Sequence, residues 1–263
     1  MTGRRLADAT SPEVEALAAA GPSTLLVPLG ATEQHGPHLP LGTDSTIAAA
    51  LAEAAAARTP GAVVAPVLPY GSSGEHQDFA GTLSIGAAAT ELVLVELGRS
   101  ASETFDRLLF VNGHGGNAAP LAAAVERLRD EGRDARAWSP RFGGDAHAGR
   151  TETSLLLTLT EHPDPPERGR PSVRLPDQRT TADRGPGQRT TAVRVGLAEA
   201  GNEAPLAELI GRLRDEGVRA VAPNGVLGDP TGASAAEGRA LLAAAVEDLC
   251  ATLAAWPVPA VAS

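Results

Sequence analysis

Short runs of apolar residues alternate along the chain with longer segments that carry helix start and stop signals. The apolar runs predict strands at residues 23–30, 61–71 and 106–113, with a candidate fourth strand at 133–140. Helices are predicted at residues 11–21, 44–59, 87–104, 117–132, 151–162, 203–216 and 233–255. Such alternation is typical of a mainly parallel sheet covered by helices on both faces. The sequence therefore predicts an α/β protein with three layers: helix, sheet, helix.

Residues 161–200 interrupt this alternation. The segment repeats Pro, Arg, Gly and Thr and shows no clear periodicity, so we interpret it as a long irregular excursion or lid. Neither an internal repeat nor a compositional boundary divides the rest of the chain. The sequence therefore predicts one domain over residues 1–263.

The charge balance limits the classes of partner. The formal net charge is -10 and the sequence pI is about 5.1, and the 22 basic residues are all arginine. A nucleic-acid-binding surface needs clustered basic residues, and this chain has no such cluster. We therefore expect no nucleic-acid partner, and the 43% of apolar residues are enough for a buried core.

Cysteine usage and apolar run lengths indicate the compartment. The single cysteine, Cys250, cannot form an intrachain disulfide, which favours a reducing environment. The first residues lack the apolar core of a signal peptide, and no stretch approaches the ~18 apolar residues of a membrane span. The sequence thus predicts a cytoplasmic protein without a membrane partner.

Acids and histidines follow the ends of the predicted strands. The stretch GATEQHGPHLPLGTDS after the first strand holds Glu33, His35 and Asp44, in a loop whose glycines and prolines break regular structure. SSGEHQDF follows the second strand, and NGHGGN, with His114, follows the third. Ligands of open parallel sheets bind beyond the carboxyl ends of the strands. We expect these three loops to converge there.

Imidazole and carboxylate ligands together suit Zn²⁺, Mn²⁺ or Fe²⁺. Each residue also has a simpler interpretation: Asp44 alone is more typical of a helix N-cap, and His38 and His162 of polar surface positions. His114 is the strongest single indication, because a strand leads directly into Gly-His-Gly-Gly. Taken together, the residues favour a metal site over coincidence.

The stretch GGDAHAGRTETS adds two candidates, His147 and Glu152. In one interpretation Thr151 is a helix N-cap, and Glu152 is favoured in the first turn by the helix dipole. In the other, Glu152 faces the metals and His147 protonates a leaving nitrogen as a general acid. The glycines that precede and follow His147 in GGDAHAG favour the second interpretation.

Several motifs in order resemble the creatininase family of metal-dependent amidohydrolases: LVPLGATEQHGPHLPLGTDS, PVLPYGSSGEHQDFAGTLS, FVNGHGGN, HAGRTETS and NGVLGDPTGAS. The resemblance runs from about residue 22 to the C-terminus, with 163–200 as its weakest part. It implies an α/β fold and two divalent ions that open amide bonds. The positions that match the family's ligands are Glu33, His35, Asp44 as the bridge, and His114.

One position departs from the family pattern. Creatininase carries an acidic ligand two residues after the third-strand histidine, where this chain has Gly116. That departure argues against creatinine cleavage, and Glu152 is our candidate for the missing ligand. The second loop supplies candidate substrate contacts or neighbours of the ligands: Ser72, Ser73, Glu75 and His76.

HAGRTETS and NGVLGDPTGA most resemble the mycofactocin-system branch of the family. That branch is associated with removal of a C-terminal Val-Tyr dipeptide from a modified precursor peptide during redox-cofactor biosynthesis. By the same resemblance, we expect a homo-oligomer. The alternatives are another amidohydrolase, of deformylase or creatinine type, and a non-catalytic metal-binding assembly protein. The nitrogen and oxygen ligands leave Zn, Fe and Mn open as the metal.

Overall fold

A computed structural model of the protein describes residues 4–161 and 193–256. Its centre is a parallel sheet with the strand order β1-β3-β2-β4-β5. The strands are β1 (Arg4–Arg5), β2 (Thr24–Leu29), β3 (Ala62–Val64), β4 (Arg107–Asn112) and β5 (Ala135–Trp138). The helices are α1 (Ser11–Ala19), α2 (Thr43–Ala56), α3 (Ala87–Ala101), α4 (Ala118–Asp130), α5 (Arg150–Glu161), α6 (Leu206–Glu216), α7 (Val218–Val221) and α8 (Ala235–Ala254).

Side chains that alternate along the strands pack into two separate cores. Leu26 and Leu109 belong to the core beneath α2, α5 and α8, whereas Val27 and Phe110 belong to the core beneath α3 and α4. This alternation follows from the period of two in a strand, and fully buried strands therefore read as continuous apolar runs. The predicted three-layer α/β architecture is confirmed.

The register places the ends of the two central strands side by side. Leu29 of β2 pairs with Asn112 of β4, and the Gly113 amide donates to the Leu29 carbonyl at 2.8 Å. A Cβ on Gly113 would lie 2.7 Å from the Asp44 carbonyl oxygen. The loops after β2 and β4 therefore leave the sheet in direct contact.

Two of the predicted elements begin or end differently in the structure. The strand expected over 61–71 stops at Val64, because prolines at positions 66 and 69 cannot donate to the ladder. The helix α1 is capped by Thr10 rather than by Ser11, and the Glu13 side chain accepts from the Thr10 amide at 2.7 Å.

Most of the predicted excursion lies outside the described residues, which resume at 193 with a short 3-10 turn, Val195–Leu197. After it, α6, α7 and Leu227 form a third apolar cluster. Within the described parts of the chain, no helix is long and apolar enough to cross a membrane.

Candidate metal centre

The loop between β2 and α2 folds back on itself and so positions its acids. The Glu33 amide donates to the Leu41 carbonyl at 3.1 Å, which returns the chain to α2. The N-cap position of α2 is Gly42, and Asp44 lies in the first turn. The N-cap interpretation of Asp44 is therefore wrong, and its carboxylate is available to the site.

Asp44 lies between two histidines from different loops. Its Oδ1 is 3.0 Å from Nε2 of His35, and its Oδ2 is 3.4 Å from Nδ1 of His114. Oε2 of Glu33 is 3.3 Å from Nε2 of His114, and Oε2 of Glu152 is 3.8 Å from Nε2 of His35. The loops after β2 and β4 and the start of α5 thus meet at one point, as the sequence predicted.

These side chains form two groups that share Asp44. The atoms of Glu33, Asp44 and His114 lie within 4.8 Å of one another, and so do those of His35, Asp44 and Glu152. A third such group consists of Glu33, His35 and His147. Two triads joined by one carboxylate have the composition of a dinuclear centre with N and O ligands.

Three carboxylate oxygens of the site have no hydrogen-bond partner among the described residues: both oxygens of Glu33 and Oδ2 of Asp44. The two side chains are 0% and 2% exposed. Carboxylate oxygens buried this deeply rarely lack hydrogen bonds in native proteins unless an ion or a ligand takes their place. The geometry therefore fits bound cations.

In two of these histidines, one ring nitrogen is held by a main-chain carbonyl. Nδ1 of His35 donates to the Glu33 carbonyl at 3.1 Å, and Nε2 of His114 donates to the Ser72 carbonyl at 2.8 Å. In each ring the other nitrogen therefore faces Asp44. Histidines that bind metals are commonly oriented by such a second hydrogen bond.

Without a cation, protons compensate the buried carboxylates. Burial lowers the pKa of His35, but attraction to Asp44 outweighs it and raises that pKa to about 10. The pKa of His114 also rises to about 10, because Glu33 and Asp44 outweigh its burial. Burial raises the pKa of Glu152 to about 7. Metal binding must displace these protons, so affinity should rise with pH.

Gly116 has no room for a side chain. A Cβ there would lie 2.2 Å from the Ser72 carbonyl oxygen and 2.4 Å from Nε2 of His114, directly over the hydrogen bond between them. It would also lie 2.6 Å from Oε1 of Glu75. An acidic residue at 116 is therefore incompatible with this arrangement of the second loop.

Glu152 lies in the first turn of α5. Its Oε2 accepts from the Ala148 amide at 2.6 Å while it faces His35. Ala148 has φ +52°, the one positive φ outside glycine among residues 4–161 and 193–256. Glu152 therefore both stabilises the start of the helix and reaches the site, so the two interpretations of this residue are compatible.

His147 and His76 both lie near Oε1 of Glu33. Nδ1 of His147 is 3.8 Å from Oε1 of Glu33, and Nε2 of His76 is 3.3 Å from the same oxygen. Burial lowers the pKa of His76 to about 4 and, together with the nearby His35, lowers that of His147 well below its usual value. Both rings are neutral near pH 7.

The other candidates lie around this centre. Ser72 contributes its carbonyl rather than its hydroxyl, and the buried Ser73 hydroxyl is 3.4 Å from Nε2 of His114. Buried His38 contacts the Thr153 hydroxyl at 2.9 Å and belongs to none of the three groups above. His162 lies outside the described residues. Sequence reasoning missed Gln34, which lies between Glu33 and His35 in the sequence but whose contacts come from distant loops.

Known proteins share the family and the fold of this chain. Residues 7–253 match the creatininase family, described as creatinine amidohydrolase. The chain belongs to the creatininase family. The resemblance of the sequence motifs to this family is thereby confirmed.

Two similar relatives are both named mycofactocin precursor peptide peptidase. The protein from Mycobacterium ulcerans is 50% identical over 248 residues, which cover 89% of this chain and 87% of the relative. The protein from Mycolicibacterium smegmatis is 48% identical over 239 residues, which cover 88% of this chain and 85% of the relative. A crystal structure of creatinine amidohydrolase has the same fold, with a TM-score of 0.73, 23% identity, and coverage of 96% of this chain and 97% of that one.

Proposed function

We propose that this protein is a metal-dependent peptidase that releases a C-terminal Val-Tyr dipeptide from a modified precursor peptide in mycofactocin biosynthesis. The observation that carries the proposal is the buried cluster around Asp44, with three carboxylate oxygens that lack hydrogen-bond partners among the described residues. The relatives named precursor peptide peptidase, alike over most of the chain, favour this substrate over creatinine or a formylated amine.

Two divalent ions would be held by the two triads, with Asp44 as the bridge. Glu33 and His114 would hold one ion, and His35 and Glu152 the other. When bound, such ions lower the pKa of a water molecule and polarise the amide carbonyl. Mixed imidazole and carboxylate ligands suit Zn, Fe or Mn.

Glu152 would replace the acidic ligand that this chain lacks at position 116. The side chain reaches within 3.8 Å of His35, and the space above Gly116 is filled by the contact between Ser72 and His114. The family's acidic ligand is therefore supplied from α5 instead of from the loop after β4.

His147 would move the proton during amide cleavage. The ring is neutral, its Nε2 donates to the Gln34 carbonyl at 2.9 Å, and its Nδ1 faces the site. Nδ1 can therefore accept a proton from the attacking water and deliver it to the departing nitrogen, so the general-acid role follows a first step as a base.

Glu75, Ser72 and Ser73 would contact the substrate at the edge of the centre, and His76 would orient Glu33. The Glu75 carboxylate lies beside Gly116, and the partly exposed side chain can reach a peptide that enters from solvent. The homo-oligomer stays a prediction that rests on the resemblance.

The test is to incubate purified protein with the modified precursor peptide and to detect the dipeptide by mass spectrometry. We expect release by zinc-, iron- or manganese-loaded protein, loss of release after chelation, and recovery when the ion is added back. The precursor without its last two residues serves as the control substrate.

Creatinine and an N-formylated peptide, assayed with the same protein, distinguish the alternative amidohydrolases. Turnover of either one without dipeptide release would contradict the proposed substrate. Metal binding with no turnover of any of these substrates would favour the assembly protein.

A further inference from the structure

The side chain of Gln34 lies between two histidines that flank the metal centre. Its amide nitrogen is 2.9 Å from Nδ1 of His76 and 3.1 Å from the Gly225 carbonyl oxygen. Its Oε1 accepts from the Gly36 amide at 2.9 Å. The Gly36 main-chain N–H can only donate, and the Gly225 carbonyl can only accept. The orientation of the Gln34 side-chain amide is therefore fixed.

This orientation determines which nitrogen of His76 carries a hydrogen. The NH₂ group of Gln34 has two hydrogens, one for the Gly225 carbonyl and one for Nδ1 of His76. Nδ1 must therefore be an acceptor, and in a neutral ring the hydrogen lies on Nε2. That hydrogen faces Oε1 of Glu33, at an N–O distance of 3.3 Å.

The main chain of Gln34 fixes the tautomer of His147 as well. Nε2 of His147 lies 2.9 Å from the Gln34 carbonyl oxygen, which can only accept, so Nε2 carries the hydrogen. The contact of 3.1 Å between this nitrogen and the Gln34 amide nitrogen is then a packing contact, because both groups are donors. The unprotonated Nδ1 of His147 is directed at the site.

We infer that Gln34 is a positioning residue that fixes the same tautomer, with the hydrogen on Nε2, in both histidines, whose opposite ring nitrogens face the site. Through its side chain it makes His76 present an N–H to Glu33, and through its carbonyl it makes His147 present a lone pair. In the proposed peptidase, His76 would thereby orient Glu33 and His147 would move the proton. These two roles rest on the proposed function.

The loop that closes over Gln34 is shaped for this side chain. Gly225 has φ +78°, and a Cβ there would lie 1.9 Å from Oε1 of Gln34. The same loop pairs Leu227 with His147 through main-chain hydrogen bonds of 2.9 and 3.3 Å. The NGVLGD motif therefore contacts the centre through Gln34 and His147 and supplies no ligand of the triads.

The test is to determine the tautomers by ¹H–¹⁵N NMR of the imidazole nitrogens in zinc-loaded protein at neutral pH. Wild-type protein should show a hydrogen on Nε2 and none on Nδ1 in both His76 and His147. A hydrogen on Nδ1 of either ring would overturn the inference, whatever any variant does.

Gln34→Met then removes the donors at nearly constant volume. We expect His76 to populate both tautomers and His147 to keep its own. Zinc affinity in equilibrium dialysis should fall by about 10-fold, the lower limit for direct partners of metal ligands, because the Gln34 side chain reaches Glu33 only through His76. Gln77→Met makes the same change at an exposed position beside His76 and should leave both readouts as in the wild type.

An unchanged His76 spectrum in a folded Gln34→Met protein would overturn the inference. The spectra need no turnover, so they separate this inference from the proposed function. Correct tautomers without dipeptide release would contradict the peptidase, whereas release with the wrong tautomers would contradict the role of Gln34.

Discussion

The two ends of β4 both bury charged side chains, and the two environments are opposite. At the amino end, Arg107 donates to the Thr24 hydroxyl at 3.0 Å and to the Trp256 carbonyl at 3.1 Å. The guanidinium also lies 5.6 Å from the centre of the Trp256 ring, whose Nε1 donates to Asp134 at 2.9 Å. Hydrogen bonds from the chain itself hold this charge.

Beyond the carboxyl end, the carboxylates of Glu33 and Asp44 are buried at least as deeply, yet three of their oxygens have no hydrogen-bond partner in the described structure. Burial alone therefore does not distinguish the two ends of the strand. The difference lies in whether the chain supplies the partners. At the amino end the buried charge has hydrogen-bond partners within the chain. At the carboxyl end the buried carboxylates leave oxygens that a cation could bind.

The largest effect is expected from Asp44→Ala, because it removes the carboxylate common to both triads. Metal content and dipeptide release should both be abolished, as measured by elemental analysis and mass spectrometry. Asp134→Ala is the matched control, since it removes a carboxylate at the opposite end and should leave the metal in place. Activity retained by metal-depleted Asp44→Ala protein would contradict the mechanism.

His147→Ala should lower turnover by about 10²- to 10⁴-fold, the usual contribution of a general acid or base. Metal content should stay at the wild-type level, because neither triad loses a ligand. If elemental analysis instead shows loss of metal, His147 is a ligand, as its grouping with Glu33 and His35 would allow.

The metal-free protein should lose stability as the pH rises from about 6.5, the ordinary histidine value, towards 10. In the folded state the pKa values of His35 and His114 are raised to about 10. Their protonated forms therefore stabilise the fold below that window, and the stabilisation is lost across it. Urea unfolding midpoints measured with chelator should show this decline, and those measured with zinc should depend on pH much less.

The smallest effect on the site is expected at the amino end. Arg107→Met should lower the free energy of unfolding by about 1–3 kcal/mol, because it leaves buried hydrogen-bond partners unsatisfied. Turnover per folded molecule and metal content should not change. A loss of metal in folded protein would show that the two ends of β4 are coupled and would weaken the comparison.

The strand and helix pattern predicted the layers, because fully buried strands and long helices leave strong signals in the sequence. It also predicted that Glu33, His35, Asp44 and His114 would converge, because parallel strands end at one edge of the sheet. It did not predict β1, whose two residues are too few to produce a pattern.

The role of Gln34 could not be predicted either. It depends on Gly225, far along the chain, approaching from a separate loop, and local sequence carries no record of that contact. The sequence also could not predict that Ser72 contacts His114 through its carbonyl and not through its hydroxyl, because every residue has a carbonyl. Sequence thus located the site, and the three-dimensional contacts specified how its side chains are held.

The most direct test of the metal centre is anomalous scattering from zinc-loaded crystals measured at the zinc edge. We predict two peaks per chain that share Asp44, one beside Glu33 and His114 and one beside His35 and Glu152. Two peaks at these positions would support the dinuclear centre and the replacement of the acidic ligand by Glu152. The absence of any peak beside Asp44 in zinc-loaded protein would contradict the account.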